Sequence, residues 1–330
     1  MEMRSAATTF AKLAVAVVLL IWLLRSGYLD LSLFASLRDG WIWFVLALLG
    51  FGSSLALGGI RWKWLLASQG LGYRLREVLA MTFIGHLFNQ FVVGSTGGDL
   101  YRGYLVASDN PKARTPAILS VIVDRIFGLL GVMLLVTLVW PLNLRFLAHQ
   151  VQLSWIVLGA AAGTAVLIVG FLVYVLMPGK HKRRLFQASL TRKLRLNRVL
   201  ENVDEALNTY GSHRQLLLLS LTLSLGIQVL IVVNNYWLTV SVVPGFSDWL
   251  VLMLIIPTAH LLMAIPINPP GAIGTAEAIY AVLFLGLGME EGAVVALLQR
   301  FALLVWAGVG ALLYLTYKRP TRQLAEEPQC

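Results

Sequence analysis

The chain has 330 residues, of which 58% are hydrophobic and 13% charged; with a mean hydropathy of +0.78, these values exclude a soluble globular domain of this length. Its formal net charge of +10 does not mark a nucleic-acid binder, because no folded soluble domain fits between the apolar stretches to present it. A single cysteine, Cys330, excludes a disulfide framework, a cysteine-based metal site and an intramembrane thiol nucleophile.

A helix needs roughly 20 mainly apolar residues to cross a bilayer. The first such segment, Phe10 to Leu24, has Arg4 ahead of it and Lys12 near its start, as a signal peptide would, but no small-residue cleavage site comes after it, so it reads as a retained helix. Trp41 to Ile60 is the second crossing. Val78 to Val93 then runs into Gly94, Ser95, Thr96, Gly97 and Gly98, and a short stretch resumes from Asp99 to Ala107. Crossings at Ala117 to Trp140 and Leu153 to Met177 follow. The next loop, 179–214, carries Lys180, Lys182, Arg183, Arg184, Arg192, Lys193, Arg195 and Arg198 before any carboxylate. Such a loop is cytoplasmic by the positive-inside rule, and it also attracts anionic lipids. Leu216 to Val240 crosses; Leu250 to Ile267 is interrupted by Asn268, Pro269, Pro270 and Gly271 and resumes from Thr275 to Leu287; Gly292 to Tyr317 is the last crossing.

Loop charge sets the topology. Arg61, Lys63, Arg74 and Arg76 precede the first interrupted segment and Lys112 and Arg114 follow it, so both flanks are expected inside. Ser247, Asp248, Glu290 and Glu291 flank the second with no Lys or Arg, so both of its flanks are expected outside. The expected fold is an all-α polytopic membrane protein with about six full crossings and two oppositely oriented re-entrant helical hairpins. Both termini are then cytoplasmic, and residues 41–140 and 215–317 form two halves of an inverted repeat. The alternative is that each hairpin arm spans fully, which gives eight to ten crossings. Paired, Gly/Pro-interrupted segments in inverted halves point to a transporter's central binding site.

Asp99, Asp124 and Glu277 are the carboxylates that fall within or at the breaks of apolar segments. Burying a charge there costs roughly 2.5–3.5 kcal/mol, so such groups face a polar cavity or a partner and are functional candidates by default. Arg102, three residues after Asp99, can meet it directly. Asp124 and Arg125 point about 100° apart on a helix, so each needs a partner on another element. Gln299 and Arg300 lie in the last crossing. The breaks at Gly94, Gly97 and Gly98 and at Pro269, Pro270, Gly271 and Gly274 leave backbone unshielded near helix starts, where N–H donors can converge on an anion such as a lipid phosphate. Asp99 is equally a candidate N-cap that binds nothing else.

His86 and Asn89, one turn apart, and His260 before the second break suit either a headgroup or the freed backbone. They form no metal site. Tryptophans and tyrosines near segment ends read as an interfacial belt. Nucleotide-binding loops and nucleophile elbows are absent, and no cofactor is implied.

The runs Ile60 to Leu66, Phe83 to Phe91 and Gly97-Gly98-Asp99-Leu100-Tyr101-Arg102 resemble the lysylphosphatidylglycerol synthase transmembrane-region family, also called flippase-like. Val123 to Gly128 and Pro269 to Glu277 resemble its two later motifs. This chain departs from the family pattern in having Val92-Val93-Gly94-Ser95-Thr96 where a Pro commonly precedes the first Gly-Gly-Asp, and Ala272 where a second Gly is common. The resemblance implies a stand-alone member in the bacterial inner membrane. The aminoacyl-transferase domain of bifunctional relatives is not expected, because the sequence ends about a dozen residues past its last crossing.

The expected function is a lipid flippase that moves a phospholipid or polyprenyl-linked lipid with a phosphate headgroup through a polar cavity. Asn89, Asp99, Arg102, Asp124, Arg125, Glu277 and Arg300 are its expected lining, with His86, Asn268 and Gln299 as secondary candidates. A lipid-modifying enzyme is a candidate partner; oligomeric state is not legible. Two other classes stay open: an intramembrane enzyme with Asp99 or Glu277 as general base, and a non-transporting partner of a glycosyltransferase.

Overall fold

A computed structural model describes residues 40–91, 96–150, 154–159, 161–166, 209–210, 214–264 and 269–316. The expected crossing at Phe10 to Leu24, most of loop 179–214, and the break residues Gly94 and Asn268 lie outside them, and Leu153 to Met177 is covered only in its helical stretches 154–159 and 161–166.

Everything regular among the described residues is helical. Among the described residues four helices are long and apolar: α1 (Trp41–Ser68), α4 (Arg114–Val139), α6 (Arg214–Val242) and α9 (Gly292–Thr316). At 1.5 Å per residue their 25 to 29 residues reach about 37–43 Å, beyond the roughly 30 Å of hydrocarbon. Within such a helix every interior backbone group is satisfied locally, which an apolar solvent demands. The protein is therefore a multi-pass membrane protein.

Between these run four short helices: α2 (Leu75–Asn89), α3 (Gly97–Asp109), α7 (Trp249–Met263) and α8 (Thr275–Leu285). A five-residue helix, α5 (Leu144–Ala148), follows α4. The four arms, of 11 to 15 residues, reach only about 17–22 Å, short of a full crossing. At the start of α2 the Glu77 carboxylate accepts the Arg74 backbone N–H at 2.9 Å, which satisfies one donor at the helix entrance.

The packing is reciprocal. Helices α1 and α6 lie side by side; α2 packs against α9, and α7 against α4. The second arms stay at home, α3 on α4 and α8 on α9. Each hairpin thus leans its first arm on the opposite half. Small residues permit the approach: a Cβ on Gly50 would sit 1.9 Å from Asn234 Oδ1 on α6, and one on Gly310 would sit 2.2 Å from the Phe83 carbonyl on α2.

The largest apolar core joins α1, α4 and α6 to α7, α8 and α9, with Ile255, Ile256, Phe284 and Ala302 fully buried. A second core, around Trp62, Met81 and Val106, seats the first hairpin on α1 and α4. Tyr210 ties the end of the basic loop to α1 by donating to the Leu65 carbonyl at 3.3 Å. Burial, foremost, pushes its hydroxyl pKa up and keeps it a neutral donor.

Candidate functional site: a charged cavity between two broken hairpins

The two breaks approach each other. A Cβ on Gly271 would lie 3.5 Å from the backbone carbonyl and the side-chain oxygen of Gln90, just past α2. The first hairpin is drawn tight where its arms cross: a Cβ on Gly98 would fall 2.1 Å from the Gly85 carbonyl. Asn89 completes the turn, its Oδ1 accepting the Gly98 N–H at 2.7 Å. With Asp99 N–H and Leu100 N–H both donating to the Thr96 carbonyl, these three amides at the start of α3 are engaged within the protein. Thr96, and not Asp99, stands at the N-cap position. Asp99 lies in the first turn and its side chain is used elsewhere.

It is used in a chain of ionic hydrogen bonds that crosses three helices. Arg125 on α4 donates to Asp99 through Nε, and Arg102, one turn along α3, donates to the other Asp99 oxygen. Arg102 also reaches Asp124 Oδ2 at 3.3 Å. Arg61 on α1 donates from Nε to Asp124 Oδ1 at 2.8 Å and from a terminal nitrogen to Ser224 Oγ on α6 at 2.8 Å. The Arg102 guanidinium lies 4.7 Å above the Trp62 ring, a cation–π contact that holds its plane. The Trp62 indole N–H in turn donates to Ser120 Oγ at 3.1 Å. Asp124 and Arg125, adjacent in sequence, do face different partners, as their divergence on a helix requires.

Among these five linked side chains arginines outnumber aspartates three to two. Arg61, Arg102 and Asp124 are nearly sealed, whereas the Arg125 side chain is 48% exposed. The network borders a cavity of about 590 Å³ that also touches His86, Gln228, His260 and Gln299. That volume falls in the roughly 300–1,000 Å³ range of small-molecule sites.

Of the residues predicted to line a cavity, Asn89, Asp99, Arg102, Asp124 and Arg125 do so, together with His86 and Gln299. Glu277 and Arg300 stand apart and pair with each other. Their guanidinium nitrogens and carboxylate oxygens lie 2.6 and 2.9 Å apart, and Arg300 also donates to the Ala272 carbonyl at 3.1 Å. Arg300 therefore clamps the second break, where Gly271, Ala272 and Gly274 all have positive φ. Ala272 sits at +52°, a region that favours glycine.

The second hairpin carries a neutral counterpart of the network. His86 and His260 each stand eleven residues after the first residue of their helix, and Asp99 and Glu277 are each the third residue of theirs. Three residues on from each carboxylate come Arg102 and Tyr280; before Arg125 and Arg300 come Asp124 and Gln299. Where the first half joins Arg61, Asp124 and Arg102, the second joins Asn235, Gln299 and Tyr280. The Tyr280 hydroxyl lies 2.6 Å from Gln299 Oε1, 3.2 Å from Asn235 Oδ1 and 3.4 Å from His260 Nε2.

Arg61 reads in the sequence as loop charge, and Ser224, Gln228, Asn235 and Tyr280 join the site without a sequence-based assignment. A signal for two of them was present: Ser220, Ser224 and Gln228 repeat every fourth residue in an otherwise apolar crossing, which marks one polar face of a helix. Among the described residues no group of three or more His, Cys, Asp or Glu converges as a metal site.

A family model, the lysylphosphatidylglycerol synthase transmembrane region, matches residues 9–324. The chain belongs to this family. The match extends beyond the motifs at both ends, and its range takes in every residue of the charged network. Membership points to a function connected with membrane lipids. No curated protein and no solved structure matches the chain.

Proposed function

We propose that the protein is a lipid transporter of the flippase type, moving a phospholipid or polyprenyl-linked lipid between leaflets with its phosphate headgroup in the central cavity. The observation that carries this is the cluster of three arginines, Arg61, Arg102 and Arg125, on the lining of that cavity, with Arg125 its accessible member. A phosphodiester supplies a negative charge and two free oxygens that the planar guanidinium fork binds in bidentate fashion. Residues 41–140 and 215–317 act as inverted halves, each hairpin re-entering from its own side, in the bacterial inner membrane with both termini cytoplasmic. The reciprocal packing of α2 on α9 and α7 on α4 supports such halves, since alternating access rocks one repeat against the other around a fixed site. Anionic lipids at the basic loop 179–214 and a lipid-modifying enzyme are the accompanying partners.

Asp99 and Glu277, the candidates for a general base, both give their oxygens to guanidinium groups. A base must instead reach a substrate proton.

Reconstitution in vesicles carrying fluorescent phosphatidylglycerol or fluorescent polyprenyl phosphate, with bleaching of the outer leaflet, tests the proposal. Transfer above that of protein-free vesicles is expected, and Arg125→Ala should abolish it. Absence of transfer for both lipids, or transfer indifferent to Arg125→Ala, would overturn it. Mass spectrometry of the same lipids should show no change of mass.

A further inference from the structure

The cavity has a second wall whose hydrogen-bonding inventory does not balance. Gln228 on α6 is 8% exposed, lines the cavity, and its Oε1 has no hydrogen-bond partner among the described residues. It lies one turn beyond Ser224, the residue that holds Arg61. In contact with the lining residues His260 and Gln299, Tyr280 has one hydroxyl hydrogen to divide between two oxygens, Gln299 Oε1 at 2.6 Å and Asn235 Oδ1 at 3.2 Å. Asn235 cannot turn its amide round to help, because its Nδ2 donates to the Ile231 carbonyl at 2.9 Å. Buried acceptors left without donors each cost about 1–3 kcal/mol, and here the deficit is of donors alone.

We infer that Gln228, His260 and Gln299 form a hydroxyl-binding subsite beside the arginine network, which takes the uncharged polyol part of an anionic lipid headgroup. A ligand hydroxyl donating to Gln299 Oε1 releases the Tyr280 hydrogen for Asn235 Oδ1, and a second donates to Gln228 Oε1. Both orphaned acceptors are thereby satisfied. An ammonium group would also supply hydrogens, but Gln228, His260 and Gln299 offer it no carboxylate, and Asp99 and Asp124, the carboxylates that line the cavity, each already accept two guanidinium groups. The inference rests on the proposed transport function and narrows its substrate to phosphodiesters with hydroxylated, non-cationic headgroups.

Three lipids separate the contributions: phosphatidylglycerol, with a phosphodiester and two hydroxyls; phosphatidylmethanol, with the same charge and no hydroxyl; and phosphatidylethanolamine, whose headgroup is an ammonium. Leaflet transfer by the full-length protein should favour phosphatidylglycerol over phosphatidylmethanol by about tenfold, the size expected for one or two net hydrogen bonds, and over phosphatidylethanolamine by at least as much. In Gln228→Leu the ratio of phosphatidylglycerol to phosphatidylmethanol transfer should fall toward one. Because a ratio is read, a variant with less folded protein still reports. Equal transfer of the two phosphodiesters, a preference for phosphatidylethanolamine, or an unchanged ratio in Gln228→Leu overturns the subsite while leaving the transporter standing. Transfer of none of the three overturns the subsite, and absence of polyprenyl phosphate transfer as well overturns the transporter with it.

Discussion

Asp124 on α4 and Gln299 on α9 hold equivalent places, each directly before an arginine that pairs with the carboxylate opening a hairpin's second arm, yet Asp124 gathers two guanidinium groups and Gln299 a tyrosine hydroxyl. The same scaffold thus presents charge on one side of the cavity and neutral hydrogen bonding on the other. That difference gives the cavity two chemically distinct walls.

Asp124→Ala should destabilise the protein by about 3–5 kcal/mol, since it leaves the buried Arg61 and Arg102 facing each other without their shared acid. Pairing Asp124→Leu with Arg61→Met removes one charge of each sign and should recover most of that loss. Thermal unfolding in detergent measures both. Wild-type stability in Asp124→Ala would show that the network is not closed as described.

Gly98→Ala should cost about 1–3 kcal/mol, because the new methyl group meets the Gly85 carbonyl and must force the arms of the first hairpin apart. Gly226→Ala, with nothing within 4 Å of the added carbon, should gain about 0.5–1 kcal/mol from helix propensity. The pair distinguishes a close crossing from a general intolerance of larger residues.

Ala272→Gly is expected to raise the unfolding temperature, with a gain of about 0.5–1 kcal/mol after the added freedom of the unfolded chain offsets part of the relief at φ +52°. The converse change at Gly271, whose φ is +62°, should lower it by about 1 kcal/mol. A fall in stability for Ala272→Gly would mean that its methyl group makes contacts worth more than the backbone strain.

Arg300→Ala should lower stability by about 3–5 kcal/mol and slow transport of every lipid alike, since it strips donors from Glu277 and from the Ala272 carbonyl without touching the cavity wall. Relative rates among lipids should hold. A changed preference would place Arg300 in contact with the headgroup.

The long crossings were legible because an apolar run of more than 20 residues has few alternatives: Gly292 to Tyr317 in the sequence becomes Gly292–Thr316 in the fold. The ends were less so. The apolar run of the second crossing ends at Ile60, ahead of Arg61, whereas α1 continues to Ser68 with Arg61 only 8% exposed. The charge is tolerated because Asp124, 63 residues away, neutralises it, and no local pattern carries that information. Asp99, Asp124 and Arg125 could be named from their cost in hydrocarbon. Tyr280 and Asn235 could not, since uncharged polar residues enter apolar helices at little expense and declare themselves only through the partners the packing supplies. The pairing of Glu277 with Arg300 was equally hidden, because nothing in the sequence distinguishes a clamp on a loop from a group on a cavity wall.

The exchange of first arms, α2 resting on α9 and α7 on α4, has a consequence for heredity. A gene encoding one half alone would yield a hairpin whose first arm lacks its neighbour across the seam, so substitutions on the two sides of each seam constrain one another, and the two halves can specialise in chemistry only while keeping faith in shape.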